Sequence, residues 1–565
     1  MKGFRALALG ACVVSASVLV GVGAAAAQGG ADTVRIPFPR DDGSLTPYTF
    51  RLGYPLMSLV YDTLALRDAN GAPRPWLARS IRRKGQTVTV RLRRGVRWHD
   101  GRPLTAADVV FTFDRFAERE HPRFTPQLRD VADVQAPDTH TVVISLRRPS
   151  LGFRDQPLAD MPILPAHLWR NLPPARLAPS GLPVGSGPFR LVEYRRGVRY
   201  RFRANRSYFR GRPSVDQIQV PIIRRAERTF DALRARRVDA IPVTLPDESA
   251  AGLSGLGVRV EIGTSYLGTA LMLNVREPPF DRPGVRRAVA SAIDPIRIAR
   301  VIGSPTGGNT LPALNGYVHP ASRWATNRRL HRFEPERARR TLAPLAQRPF
   351  RILVSRDDPV RVEVGRQVAL ALQRVGVRTR IQRVSARELE RAVGQDGARP
   401  TFGAAIWSTQ PLASYDPSFL RAVFGSSETA RLNYSGYRSG EFERLAARVD
   451  SAPTIGSRRR AVAAELQLLA RDVPVVPLVF TPGTFAYRSA AYDGWLYVEG
   501  SGIFEKRSFV GRGASAASAA APIGDPVDRS DGDDFPLVPV LLGAAGLAAL
   551  IAGGWLLAGP RSTRR

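Results

Sequence analysis

Cysteine is almost missing from this 565-residue chain: Cys12 is the only one. It lies in an apolar run, Ala6 to Val22, that follows Lys2 and Arg5 and precedes Ala25-Ala26-Ala27. That is the pattern of a secretory signal over residues 1–27, cut before Gln28. Cleavage there leaves no cysteine, which excludes intrachain disulfides, thiolate metal sites and cysteine nucleophiles together. A lipoprotein box at Leu9-Gly10-Ala11-Cys12 is the alternative. It leaves only Ala6 to Leu9 as hydrophobic core, where about 7–15 apolar residues are needed. Lysine is nearly as scarce, with only Lys2, Lys84 and Lys506, yet Lys and Arg together number 83 against 49 Asp and Glu, a formal net charge of +34. No RNP, zinc-finger or basic-zipper pattern accompanies that charge, and the arginines are scattered. We read it as compositional drift, not as a nucleic-acid footprint. The six histidines (His99, His121, His140, His167, His319 and His331) stand 12 or more residues apart, so they form no sequence-local metal cluster. There is also no Gly-x-Ser-x-Gly elbow, Walker loop, Gly-x-Gly-x-x-Gly or His-Glu-x-x-His. No catalytic residue, cofactor or metal is assigned.

The far end carries the one long uncharged stretch. Gly511 to Pro536 is rich in Gly, Ala, Ser, Asp and Pro, a flexible tether. Leu537 to Ala558 has membrane-spanning length, and Arg561, Arg564 and Arg565 follow it in the tail 559–565. The positive-inside rule keeps those arginines cytoplasmic and everything from Gln28 to the tether outside. The expectation is a single-pass anchored protein of the cell envelope, C-terminus inside.

Between the ends the chain exceeds what one core serves, so at least two domains are expected. The most structured stretch is Gly95 to Phe116. Gln86 to Leu92 alternates as a half-buried strand, Arg93-Arg94-Gly95 turns, and Val96-Arg97-Trp98 is expected to run back as its partner. Thr105 with Asp108 makes a capping-box variant before Val109, Val110, Phe113 and Phe116 at helical spacing. Residues 31–266 read as strand-rich α+β. Residues 271–480 change character: helices over Pro283 to Ile293 and from Asp294-Pro295, then a strand Phe350 to Val354, a helix Pro359 to Val375, a strand Val377 to Val384, a helix capped by Ser385 and Glu388, and a strand Phe402 to Trp407. That is βαβαβ, whose ligand crevice lies beyond the carboxyl ends of the strands, where Trp407, Ser408, Thr409 and Gln410 emerge.

The stretch GVRWHDGRPLTAADVVFTFDRF (95–116) resembles the most characteristic segment of the family 5 extracellular solute-binding proteins, the dipeptide, oligopeptide and nickel receptors of ABC importers. LVYDTLALRDANGAPRPWLARSI (59–81), PVGSGPFRLVEY (183–194), ANRSYFRGRPSVDQIQVPII (204–223) and LMLNVREPPFDRPGVRRAVASAIDP (271–295) are similar to further family segments, in family order, with a weaker match near Trp407. The resemblance implies an α/β fold with a mixed α+β first lobe: a two-lobed periplasmic-binding-protein type II architecture with a hinge and an interlobe cleft. The first lobe is then 31–268, with an extra α+β subdomain around 59–180, completed by 480–510. The second lobe is 269–479, and the hinge strands lie near Tyr266 to Leu273 and Pro477 to Phe485. The chain is expected to bind a peptide-like or other small solute as a monomer, without catalysing, and to deliver it to an ABC permease and its ATPase. Rival readings are a tethered surface receptor or scaffold with no importer, and an envelope hydrolase.

Trp407 reads from its residues either as a core aromatic or as a cleft residue, and the resemblance favours the cleft. Family peptide receptors carry Asp three residues after this Trp, paired with the peptide's α-ammonium. Gln410 stands here instead, and a neutral amide cannot neutralise an ammonium. Asp416, before Pro417, is expected in a turn. The other wall is expected from Leu45, Thr46 and Tyr48, which match the family's early ligand-contacting strand loosely. His99 belongs to the family's His-Asp-Gly turn and is expected to be structural.

Overall fold

The structure is a computed structural model that describes residues 32–510 apart from 51–53, 174–175, 242–252, 254–255, 304–309, 347–348, 396, 398, 427–429, 431 and 501. The expected signal, tether, membrane span and tail lie outside the described residues. No helix among the described residues is long and apolar enough to cross a membrane.

Two four-stranded sheets build the first core. One orders Thr33–Arg35, Gln217–Pro221, Arg199–Ala204 and Phe189–Arg195 side by side; the other orders Ala78–Lys84, Thr87–Leu92, Thr141–Leu146 and Val131–Asp138. The strand Thr87–Leu92 buries Val88, Val90 and Leu92 on one face, the period-two pattern of its sequence. The helix Ala106–Glu118 lies against the second sheet and buries Val109, Phe113 and Phe116. Its capping box forms: Asp108 accepts the Thr105 N–H at 2.9 Å, and its other oxygen accepts the Ala166 N–H at 3.0 Å. The expected pairing of Val96–Trp98 with Gln86–Leu92 is not what forms. Thr87–Leu92 is already flanked by Ala78–Lys84 on one side and Thr141–Leu146 on the other, so it has no free edge. Residues 96–98 fold back on 102–104 instead, with Trp98 N–H to Arg102 O at 2.8 Å and Leu104 N–H to Val96 O at 2.9 Å.

Three of the segments that carry the family resemblance, 59–81, 183–194 and 204–223, converge on one buried carboxylate. Asp62 accepts from Trp76 Nε1 at 2.8 Å, Tyr208 OH at 2.9 Å, Ser186 Oγ at 3.0 Å and Lys506 Nζ at 2.7 Å. His99 clips the same region. Its Nδ1 accepts the Gly185 N–H at 3.3 Å, so its Nε2–H donates to Gly187 O at 3.0 Å, and burial holds its pKa down at about 4. His99 is therefore a neutral structural clip.

The second core is a six-stranded mixed sheet in the order Leu311–Pro312, Val475–Phe480, Gly268–Leu273, Ala404–Ser408, Phe350–Ser355, Thr379–Val384. Phe350–Ser355 runs parallel to both Thr379–Val384 and Ala404–Ser408. The helices Pro359–Arg374 and Ala386–Val393 make the crossovers, so the βαβαβ run is present. Asp358 and Ser385 cap them by accepting the N–H groups of Arg361 and Glu388. Gly268–Leu273 is buried at every position, as a strand covered on both faces must be. A separate apolar cluster, mostly helical residues between Leu412 and Leu469 joined by Tyr266, Tyr317, Val318 and Trp324, flanks this sheet.

A small three-stranded sheet leads from one core to the other. Val258–Gly263 pairs with Gly483–Arg488 down to Gly263 opposite Gly483, and Gly268–Leu273 pairs with Val475–Phe480 beginning at Gly268 opposite Phe480. The chain therefore crosses twice, at 264–267 and 481–482, and the two crossings lie side by side. Gly268 is required there: a Cβ would sit 2.7 Å from the Phe480 ring and 2.9 Å from Thr409 Oγ1.

Candidate solute-binding cleft

Ala404–Ser408 ends against the crossings, and this is where the sequence placed the ligand. Trp407 is partly buried, its ring edge-on to Tyr434 at 5.8 Å. Ser408 Oγ accepts from Arg361 Nη2 at 2.8 Å, while Arg361 Nε pairs with Asp358 at 3.1 Å. Thr409 faces the crossing, its Oγ1 accepting the Gly268 N–H at 2.8 Å. The Gln410 N–H donates to Tyr317 OH at 3.1 Å. Trp407, Ser408 and Gln410 line one cavity of about 20 Å³ with Met272, Tyr317 and Tyr434.

Leu45, Thr46 and Tyr48 are not among the residues lining that cavity. Leu45 is fully buried at φ +57°, and Thr46 closes a turn, accepting from Thr49 N–H at 3.0 Å. Tyr48 stacks on Phe116 at 5.6 Å and gives its hydroxyl proton to Arg119 O at 2.8 Å, which roots it in the first core.

Sequence reading missed a polar seam where the two cores meet. Asp450 receives Arg129 at 2.7 Å and Arg148 at 3.6 Å from the first core, and Arg421 at 3.3 Å from its own side. Arg323 reaches Asp155 at 3.2 Å, Arg40 forms a two-pronged pair with Glu390, and the Arg67 guanidinium lies 4.5 Å over the Tyr415 ring. Asp416 does sit in a turn, capping Ser418 N–H at 3.1 Å, but it is also the buried partner of Arg458. A cavity of about 30 Å³ is lined from both sides of the seam, by Arg129 and Gln156 and by Asp416 and Asp450. No motif flags these residues, because each pair joins positions far apart in the chain. Among the described residues, no three His, Cys, Asp or Glu side chains come together to hold a metal.

Burial pushes the Asp155 carboxyl up to about 6, with nearby Asp416 adding to the rise and Arg67, Arg323 and Arg458 opposing it. Its raised pKa contributes stability that is fully present below its ordinary value of 3.8 and is lost as pH rises through about 6. Thermal melts of the wild type and of Asp155→Asn should therefore show the wild type gaining on the variant as pH falls from 7 to 4. A constant difference across that range would show that Asp155 titrates normally.

The chain matches the model of the bacterial extracellular solute-binding proteins, family 5, over residues 72–431. It is 31% identical over 293 residues to a Brucella ovis protein bearing the name ABC transporter peptide-binding protein, a match covering 50% of this chain and 54% of that one. The chain thus spans about half the length of the curated relatives it matches. Among solved structures it superposes on the Bacillus subtilis oligopeptide-binding protein AppA in complex with a nonapeptide, with a TM-score of 0.70, 21% identity, and 81% and 94% of the two chains covered. It superposes equally on NikZ from Campylobacter jejuni in complex with Ni(L-His), with a TM-score of 0.72, 20% identity and the same coverage. The mixed α/β fold is thus that of periplasmic binding proteins. The chain belongs to the family 5 bacterial extracellular solute-binding proteins.

Proposed function

We propose that this chain is the extracytoplasmic receptor of an ABC importer, which captures a small solute between two lobes and delivers it to a permease and its ATPase. The observation that carries the reading is that the family match at 72–431 spans residues of both cores and runs through the crossing at 264–267. In this reading the first lobe is 31–268 completed by 480–510, the second is 269–479, and the paired crossings are the hinge. The segments 1–27, 511–536, 537–558 and 559–565 act as signal, tether, single-pass anchor and inner tail. The protein binds as a monomer and catalyses nothing. Closure reports loading to the permease only insofar as the solute prefers the closed state.

The cleft chemistry narrows the solute. Around Trp407 it offers an aromatic pair and the neutral Gln410, with Ser408 Oγ already held by Arg361. That uncharged set suits a solute with an amide or hydroxyl at this end better than one with a free ammonium. Native and then denaturing mass spectrometry of the purified protein tests the reading. Ligand at a hundred times its Kd adds about 2.7 kcal/mol, so a tight solute survives purification and raises the melting temperature. A released small molecule supports the receptor. A clean apo mass, with no thermal shift across peptide, sugar and metal-chelate panels, would leave a scaffold instead. Gln410→Asp should strengthen binding of dipeptides with free amino termini by about tenfold, the value of one charge-assisted hydrogen bond. Unchanged titrations would remove Gln410 from the amino-terminal subsite.

A further inference from the structure

We propose that the second core carries a binding site of its own, distinct from the cleft, for a compact amphipathic anion: an apolar body bearing one carboxylate. A cavity of about 310 Å³, far roomier than the one beside Trp407, lies behind the six-stranded sheet, walled by the helices Pro283–Ala292, Pro335–Leu342 and Ile455–Asp472 and by the start of Val475–Phe480. That volume falls at the lower end of the roughly 300–1,000 Å³ typical of small-molecule pockets, against about 20 Å³ at the cleft.

Its two ends differ in chemistry. The deep walls are apolar, formed by Ala288, Leu466, Leu469, Val473 and Val476. The mouth carries Arg287, Arg332 and Arg337 with Glu334. Three guanidiniums against one carboxylate leave two excess positive charges there. Glu334 engages Arg337 alone among them, at 3.2 Å, and Arg287 spends one Nη on the Arg471 carbonyl at 3.4 Å. Both arginines are well exposed and keep further N–H groups for an incoming acceptor. His331 turns its Nε2–H away to Ile293 O at 2.8 Å and competes for nothing at the mouth. A carboxylate can be held by two guanidinium forks while the body it carries fills the apolar end. A sugar would leave its hydroxyls unpaired against leucine and valine.

The site shares a wall with the cleft. Tyr317 and Phe424 line both cavities, and Tyr317 is the residue whose hydroxyl accepts the Gln410 N–H. Arg287 and Arg337 line only the rear one, so substitutions there report on that site alone. The inference stands whether or not the cleft feeds an importer.

Isothermal titration of the full protein with octanoate and with phenylacetate, and with phenylacetamide as the neutral isostere, tests it. The wild type should bind both anions and bind the amide about tenfold more weakly or not at all. Arg287→Gln with Arg337→Gln should weaken octanoate by at least tenfold and leave the melting temperature unchanged. Ala290→Phe should abolish binding by filling the chamber. Should that variant fail to fold, the exposed arginine pair still decides the matter. No heat with either anion at millimolar concentration, equal binding of phenylacetamide, or undiminished octanoate binding in the arginine double variant would each overturn the proposal.

Discussion

Asp62→Ala is expected to cost about 3–5 kcal/mol of stability, the loss that follows when one partner of a buried ion pair is removed. Lys506 is 1% exposed, and its ammonium donates to Asp62 Oδ1 and to Tyr61 O, both at 2.7 Å. Without the carboxylate that charge keeps the Tyr61 carbonyl, the donors of Tyr208 and Ser186 lose their acceptor, and Trp76 Nε1 is left with the Tyr208 hydroxyl at 3.2 Å. Burial and the nearby Asp62 charge together hold the Tyr208 phenol far above its ordinary pKa, so it stays a neutral donor. Lys506→Met should be milder, because Asp62 retains three neutral donors. Urea unfolding followed by tryptophan fluorescence measures both. A loss below about 1 kcal/mol for Asp62→Ala, the size of a surface pair, would mean that the knot is not rigid.

Asp416→Ala should be comparably damaging at the seam. Asp416 and Arg458 are each about 1% exposed on their side chains. The Arg458 guanidinium is held by Asp416, by Ser418 Oγ at 2.6 Å and by Val449 O at 3.2 Å, and it lies 4.7 Å over the Trp324 ring. Taking away the carboxylate strands a buried cation, again at about 3–5 kcal/mol. Arg458→Leu in the Asp416→Ala background should recover part of the loss, since no charge is then buried unpaired. The measurement is a double-mutant cycle by thermal unfolding. Strictly additive losses would mean that the two side chains do not interact energetically.

What was legible in the sequence was local. The capping boxes at Thr105–Asp108 and Ser385–Glu388, the strand at 87–92 and the βαβαβ run each depend on residues within a few positions, and each formed. Val96–Trp98 went astray because whether a strand has a free edge depends on residues 78–84 and 141–146, which no local pattern announces. The seam was invisible for a related reason. In a chain with so many arginines, nothing local says that Arg458 is the one that meets Asp416, or that Arg129 reaches Asp450. Tyr48 matches a family ligand contact only loosely, and no local pattern announces that its ring packs on Phe116 of the helix Ala106–Glu118. The segments that made the resemblance specific turn out to support the fold: Asp62, Trp76, Ser186 and Tyr208 hold one another.

The return of the chain to its starting core sets the order in which the molecule can be completed. Phe485, Tyr487, Tyr492, Ile503, Phe504 and Phe509 all belong to the core otherwise built from residues 34–240. The six-stranded sheet needs nothing beyond Phe480. The half that leaves the ribosome first is therefore finished last, waiting on contacts whose partners are separated by almost the whole chain, and such distant closures are slow. Until residue 509 appears, that half lacks these six side chains from its core, although its two four-stranded sheets are already complete. Were the proposed signal to direct the chain across a membrane, this lateness would favour passage of the leading half before its core is complete.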